Sequence, residues 1–113
     1  MILLVLPIIR FLLPQSVTAI ALWPFVFFKN KEFSTNKVIL NHEKIHLKQQ
    51  IELLIIFFYI IYLVEYIVLL ITHLNHDKAY RNISFEKEAY LKDKDLDYLK
   101  KRKFWSMWRK ETT

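Results

Sequence analysis

Neither glycine nor cysteine occurs anywhere in these 113 residues, and proline occurs only three times. Without glycine, turns that need a positive φ have no residue that adopts it cheaply, so long helices and few sharp reversals are expected. Without cysteine there is no disulfide framework, and any metal must be held through nitrogen and oxygen. Acidic residues are also scarce, 11 against 17 Lys and Arg, leaving a net charge of +6 and a pI near 9.6. That balance suits an anionic membrane surface or a nucleic acid. Apolar residues make up 54% and aromatics 16%, which excludes disorder and favours membrane lipids over nucleic acid as the partner. The length is that of a single domain.

Residues 1–28 are almost wholly apolar but do not read as one membrane span. Arg10 falls mid-run, and Pro7, Pro14 and Pro24 each interrupt helical continuity. A basic leader and a small-residue cleavage site are missing, so a cleaved signal peptide is not expected. Residues 1–13 read as a short membrane helix with Arg10 reaching to the headgroups. Residues 17–28 are rich in β-branched and aromatic side chains around Pro24, which predicts one or two short strands with the proline at an edge or bend. Ser34 or Thr35 is the expected cap of a helix beginning near Lys37. That helix leads into residues 51–74, an apolar stretch of membrane length interrupted by Glu52, Glu65 and a few Tyr. Residues 75–84 read as irregular, residues 84–101 as a third helix, and residues 100–113 as a basic, aromatic tail. Phe104, Trp105 and Trp108 among Lys and Arg have the composition of an interfacial anchor.

The chemistry lies in H-E-K-I-H at 42–46. On a helix, positions i and i+4 share one face, so His42 and His46 can reach one ion. Glu43, between them, projects toward the neighbouring face, where it can take a proton from a water beside the ion without being a ligand. A catalytic zinc site needs a third protein ligand. Glu86 and Glu88, opening the third helix, are candidates, and His73 and His76 compete with them. An oxyanion stabiliser is also required, for which Tyr80, Arg81, His73 and His76 are all open.

Val38-Ile39-Leu40-Asn41-His42-Glu43-Lys44-Ile45-His46-Leu47-Lys48, followed by Glu86-Lys87-Glu88-Ala89-Tyr90, resembles the glutamate zincins. It is similar to the membrane-embedded zinc protease domains of the beta-lactam sensor-transducers and, more loosely, to HtpX and CAAX-type prenyl proteases. The resemblance implies that Glu86 is the third zinc ligand, with Glu88 as runner-up. Where many relatives carry an aspartate this chain has Tyr90, so the carboxylate that orients a ligand histidine must come from elsewhere, Asp93 being the candidate.

A shared zinc constrains the fold. A straight helix over 46–74 would span roughly 42 Å, while the 12 steps from Leu74 to Glu86 reach at most about 40 Å. Either the apolar stretch bends back near Leu63–Tyr66, or Glu86 serves the zinc of a neighbouring protomer. Five basic residues lie at 29–48 and eleven from Lys78 onward. A re-entrant hairpin would keep all of them on one side, in accord with the positive-inside bias. The expectation is therefore a mainly α fold with a small β element, a membrane-associated minimal zincin with a bent or re-entrant apolar helix. Its function would be zinc-dependent hydrolysis of a peptide or protein substrate, at the cytoplasmic face of a bacterial inner membrane. Homo-oligomerisation fits this outline. The rival reading is a non-catalytic membrane scaffold with an incidental or structural metal site.

Overall fold

The computed structural model describes residues 2–11, 13–14 and 17–109. Three short strands, β1 (Ile2–Val5), β2 (Ala19–Leu22) and β3 (Phe25–Phe28), form one sheet in the order β1-β3-β2. β2 and β3 make an antiparallel hairpin across Trp23-Pro24, and β1 joins β3 in parallel, with Ile2 opposite Phe25 and Val5 opposite Phe28. The proline thus sits at the bend, where it costs no ladder hydrogen bond. The expected membrane helix at 1–13 is corrected: β1 and a 3₁₀ turn at Pro7–Phe11 stand there. Central strand β3 needs a partner on both edges, and that pairing outweighs the local apolar run. The Arg10 side chain lies outside the described residues, as do residues 110–113 of the tail.

Six helices follow: α1 (Lys31–Ser34), α2 (Lys37–Glu52), α3 (Ile56–His73), α4 (His76–Asn82), α5 (Ser84–Lys92) and α6 (Tyr98–Lys101). Asn36, and not Ser34 or Thr35, caps α2, its side chain accepting from the backbone N–H groups of Val38 and Ile39. An Asn side chain two and three residues ahead satisfies two amides that have no partner within the helix. The stretch expected to be irregular contains α4, and the expected third helix is divided into α5 and α6 by a turn at residues 93–97.

The reversal required by the distance argument exists, but at residues 53–55 and not at Leu63–Tyr66, which lie inside the unbroken helix α3. Leu54 and Ile55 have φ of 55° and 65°, and the Ile56 N–H donates to the Leu54 carbonyl at 2.6 Å. Ile55, with ψ of −59°, therefore centres a γ-turn, a strained three-residue reversal. Had α2 continued straight, Tyr62 would lie about 24 Å along the axis from His46. Instead α3 folds back beside the site. Its buried Phe58 joins a core with Leu53, Ile83, Phe85 and Met107.

Glu65, in the middle of the apolar helix, is neither stray nor simply exposed. Its carboxylate accepts from the Ser84 backbone N–H (2.8 Å) and hydroxyl (2.7 Å), so α3 caps the N-terminus of α5 from outside. A carboxylate there satisfies an unpaired amide and suits the helix dipole. Ser84 begins the helix that carries Glu86, so this contact sets where the acidic segment starts.

Candidate metal centre

Helix α2 presents His42 and His46 one turn apart, and α5 packs across it to bring Glu86 between them. All three are buried. His42 Nε2 and His46 Nε2 are 3.1 Å apart, and Glu86 Oε1 lies 2.9 Å from His46 Nε2 and 3.4 Å from His42 Nε2. Within one chain these residues could hold a metal ion, so a neighbouring protomer is not needed to complete the set.

The surrounding hydrogen bonds orient both rings. His42 Nδ1 lies 3.0 Å from Asp93 Oδ2, so the ring donates its Nδ1 proton to that carboxylate. Asn41 holds Asp93 in place by donating to the Asp93 and Asp95 carbonyls, both at 2.9 Å. His46 Nδ1 faces Gln49 Oε1 at 2.9 Å. The Gln49 amide cannot be turned the other way, because its Nε2 donates to the Phe85 carbonyl and to Glu88 Oε1. With both Nδ1 atoms protonated, two Nε2 lone pairs and a carboxylate oxygen point at one another with no proton between them. Such a set repels itself unless a cation sits in its midst, and neutral imidazoles with their outer N–H held are how metal-binding histidines are arranged.

The electrostatics agree. Burial opposes charge on His42, yet Asp93, Glu86 and Glu43 outweigh it and raise His42 from 6.5 to about 9. Burial likewise opposes charge on His46, and Glu86 raises it. Burial would push Glu86 up, but the two histidines hold it well below the usual carboxylate range. Positive charge is favoured at this point whether a proton or a metal supplies it. Burial pushes the Glu43 carboxyl up, with His46 and His42 opposing. Among the described residues no side chain donates to Glu43, and it lines a cavity of about 440 Å³ together with His46 and Glu86.

Glu88 is not at the centre. Its carboxylate is bound by Arg102, Tyr98 and Gln49, so it acts on His46 only through the glutamine. Of the four candidate stabilisers, Tyr80 and His76 line the cavity. His73 is exposed at the end of α3. Arg81 is exposed and lies over the Tyr90 ring at 4.7 Å. His76 Nδ1 lies 2.9 Å from the Tyr66 hydroxyl, and its Nε2 is buried without a partner among the described residues.

Three residues at the site were missed in the sequence. Gln49, at i+3 from His46, carried a signal, since that spacing lets an amide reach the ring of the preceding turn. Tyr62, whose hydroxyl donates to Glu86 Oε2 at 2.7 Å, carried none, because its approach depends on the turn at 53–55. Tyr90, noted only as a departure from relatives, packs its ring on His42 with centroids 4.4 Å apart. Among known proteins, no family model, no curated protein and no solved structure matches the chain.

Proposed function

We propose that the chain is a small, membrane-associated zinc peptidase of the glutamate-zincin type, with His42, His46 and Glu86 as ligands. The observation that carries this reading is the convergence of two imidazole lone pairs and one carboxylate oxygen, with Glu43 beside them at a cavity wall. Bound zinc would polarise a scissile carbonyl and acidify an adjacent water. Glu43, its carboxyl pushed up by burial, is suited to take a proton from that water and return it to the leaving amine. His76 lines the cavity; with the Tyr66 hydroxyl donating to its Nδ1, its Nε2 would carry the proton and donate to the carbonyl oxygen as negative charge develops. Asp93 and Gln49 keep the ligand rings in the required tautomer.

An extended substrate would pair with the free edge of β2, whose Ala19 and Ala21 line the same cavity. Membrane association is supported by α3, which is long and apolar enough to cross a bilayer and buries only Phe58. A core helix of that composition would be mostly covered. The exposed Phe104, Trp105 and Trp108 lie among basic residues, as interfacial anchors do.

The test is a pair of variants. Glu43→Gln should keep about one zinc per chain by elemental analysis while lowering peptide hydrolysis by roughly 10²–10⁴-fold. His46→Ala should lose both metal and activity. Zinc retained with no Glu43-dependent hydrolysis would favour the scaffold with a structural metal. Equal zinc in His46→Ala and wild type would remove the site altogether.

A further inference from the structure

Glu43 faces two hollows of different size and polarity. The larger, of about 440 Å³, extends past His46 and Glu86 and is walled by Phe58 and Tyr59 of α3 and by Ala21 and Leu22 of β2. It is of the size that takes a whole ligand group. Beside the metal centre, His76 and Gln50 bring polar side chains to it and four tyrosines their rings and hydroxyls, and the rest of its wall is apolar. The smaller hollow, of about 70 Å³, lies on the other side against His42, Tyr90 and Asp93. That is room for roughly two waters, hence for a small side chain. Ala19 and Tyr80 line both, so the two hollows flank a single point next to Glu43.

The β2 edge runs along both. The Thr18 carbonyl points toward β3, accepting from the Lys29 N–H, so strand alternation turns the backbones of Ala19 and Ala21 the other way. Gln50 closes the far end of this edge. Its Nε2 donates to the Ala21 carbonyl and its Oε1 accepts from the Trp23 N–H, both at 2.7 Å, so one side-chain amide stands in for a peptide group of a pairing strand. The open edge is therefore short, from Ala19 to the Ala21 N–H, and a peptide laid on it is held for about two residues around the point that Glu43 faces.

We propose that the site selects a bond between one large apolar residue, seated in the hollow beside His46 and Glu86, and one small residue, seated against His42 and Tyr90. This rests on the peptidase reading and adds its substrate class: extended peptides in which a small residue adjoins Leu, Ile or Phe. Charged residues are disfavoured in the large hollow, because most of its wall is apolar.

Two measurements on the zinc-loaded full chain test it. The first compares inhibitor binding, using acetohydroxamate and a hydroxamate carrying a benzyl side chain. The benzyl compound should bind at least 30-fold tighter, and Tyr59→Lys, in the wall of the hollow, should bring the ratio of the two affinities down toward one. The second follows cleavage of otherwise identical peptides with Ala–Phe, Phe–Ala, Phe–Phe or Ala–Asp at the centre. One of the two mixed Ala/Phe orders should dominate by tenfold or more, and that order would report the direction of the bound chain. Equal binding of the two hydroxamates by a zinc-retaining protein, or Phe–Phe cut as fast as the better mixed peptide, overturns the selectivity and leaves the peptidase reading standing. A protein that holds no zinc and binds neither hydroxamate ends both.

Discussion

Helices α2 and α3 follow one another across a three-residue turn, yet they bury opposite chemistry. Of the eight residues that α2 buries, six are polar: Asn41, His42, Glu43, His46, Gln49 and Gln50. Helix α3 buries one residue, Phe58, and exposes Ile56, Phe57, Ile60, Leu63, Val64, Ile67, Val68 and Ile71. Burying polar groups is costly unless each finds a partner, and in α2 the partners are supplied from α5, from β2 and from the turn at 93–97. Exposing a long apolar face to water is costly too, and no part of the described chain covers it. Helix α2 thus contributes to a cluster that could hold a metal ion, and α3 is long and apolar enough to cross a membrane.

The largest effect is expected where the polar interior is least able to relax. Arg102 is buried between Glu52 and Glu88, and Glu88→Ala would leave that guanidinium short of a carboxylate. A loss of about 3–5 kcal/mol in urea unfolding is expected, with zinc affinity reduced through Gln49 but not abolished. Glu86→Ala should instead abolish tight zinc binding. If Glu88→Ala loses zinc and Glu86→Ala keeps it, the third ligand has been misassigned.

The apolar side of the comparison is tested by charge. Val64→Lys on the exposed face of α3 should cost about 2.5–3.5 kcal/mol of membrane insertion if lipid covers it, and it should shift the protein from vesicles toward the soluble fraction. On a water-facing helix the same change would be nearly neutral. Topology can be read from single cysteines at the exposed Lys31 and Lys94, because the chain has no cysteine of its own. Both should label from the same side of sealed vesicles.

A smaller and pH-dependent effect belongs to the metal-free protein. His42 titrates near 9 when folded against 6.5 when unfolded, so its contribution is whole below pH 6.5 and is lost as pH rises through 9. Urea midpoints in chelator should fall across that window by the equivalent of roughly 1–3 kcal/mol. Zinc uptake, which displaces the same protons, should tighten over the same range. A flat midpoint profile would mean that the carboxylates do not act on His42 as described.

The smallest change expected is a gain. Leu74 ends α3 in the left-handed region, φ 53° and ψ 31°, and is 85% exposed. Leu74→Gly should therefore stabilise the fold by about 1 kcal/mol, relieving the backbone without emptying the core. A loss of stability in its thermal midpoint would show that the exposed leucine is anchored by something outside the chain.

What could be read from the sequence follows from local periodicity. Two histidines at i, i+4 share a helix face in any fold, so His42 and His46 were legible at once, and Glu43 with them. Strand character around Pro24, with the proline at an edge or bend, and the start of α5 at Ser84 were legible from local sequence too. That α2 and α5 must meet was legible only as a distance limit, which demanded a reversal without locating it. The reversal falls at Leu53–Ile55, where no glycine, proline or asparagine marks it, because packing of Phe58 and Tyr62 against Phe85 and Glu86 compensates a strained turn. Strand β1 was hidden likewise, since four apolar residues become a strand only when β3 offers them an edge. The sequence by itself determined that two imidazoles and the Glu43 carboxylate sit together on one helix. Tertiary structure alone decided that Tyr62 reaches Glu86 and that Glu65 caps the helix bearing it, and it brought Glu86 and Asp93, to which the resemblance had pointed, onto the two histidines. Those contacts join residues 19 to 51 positions apart, and no local rule of helix or strand reaches that far.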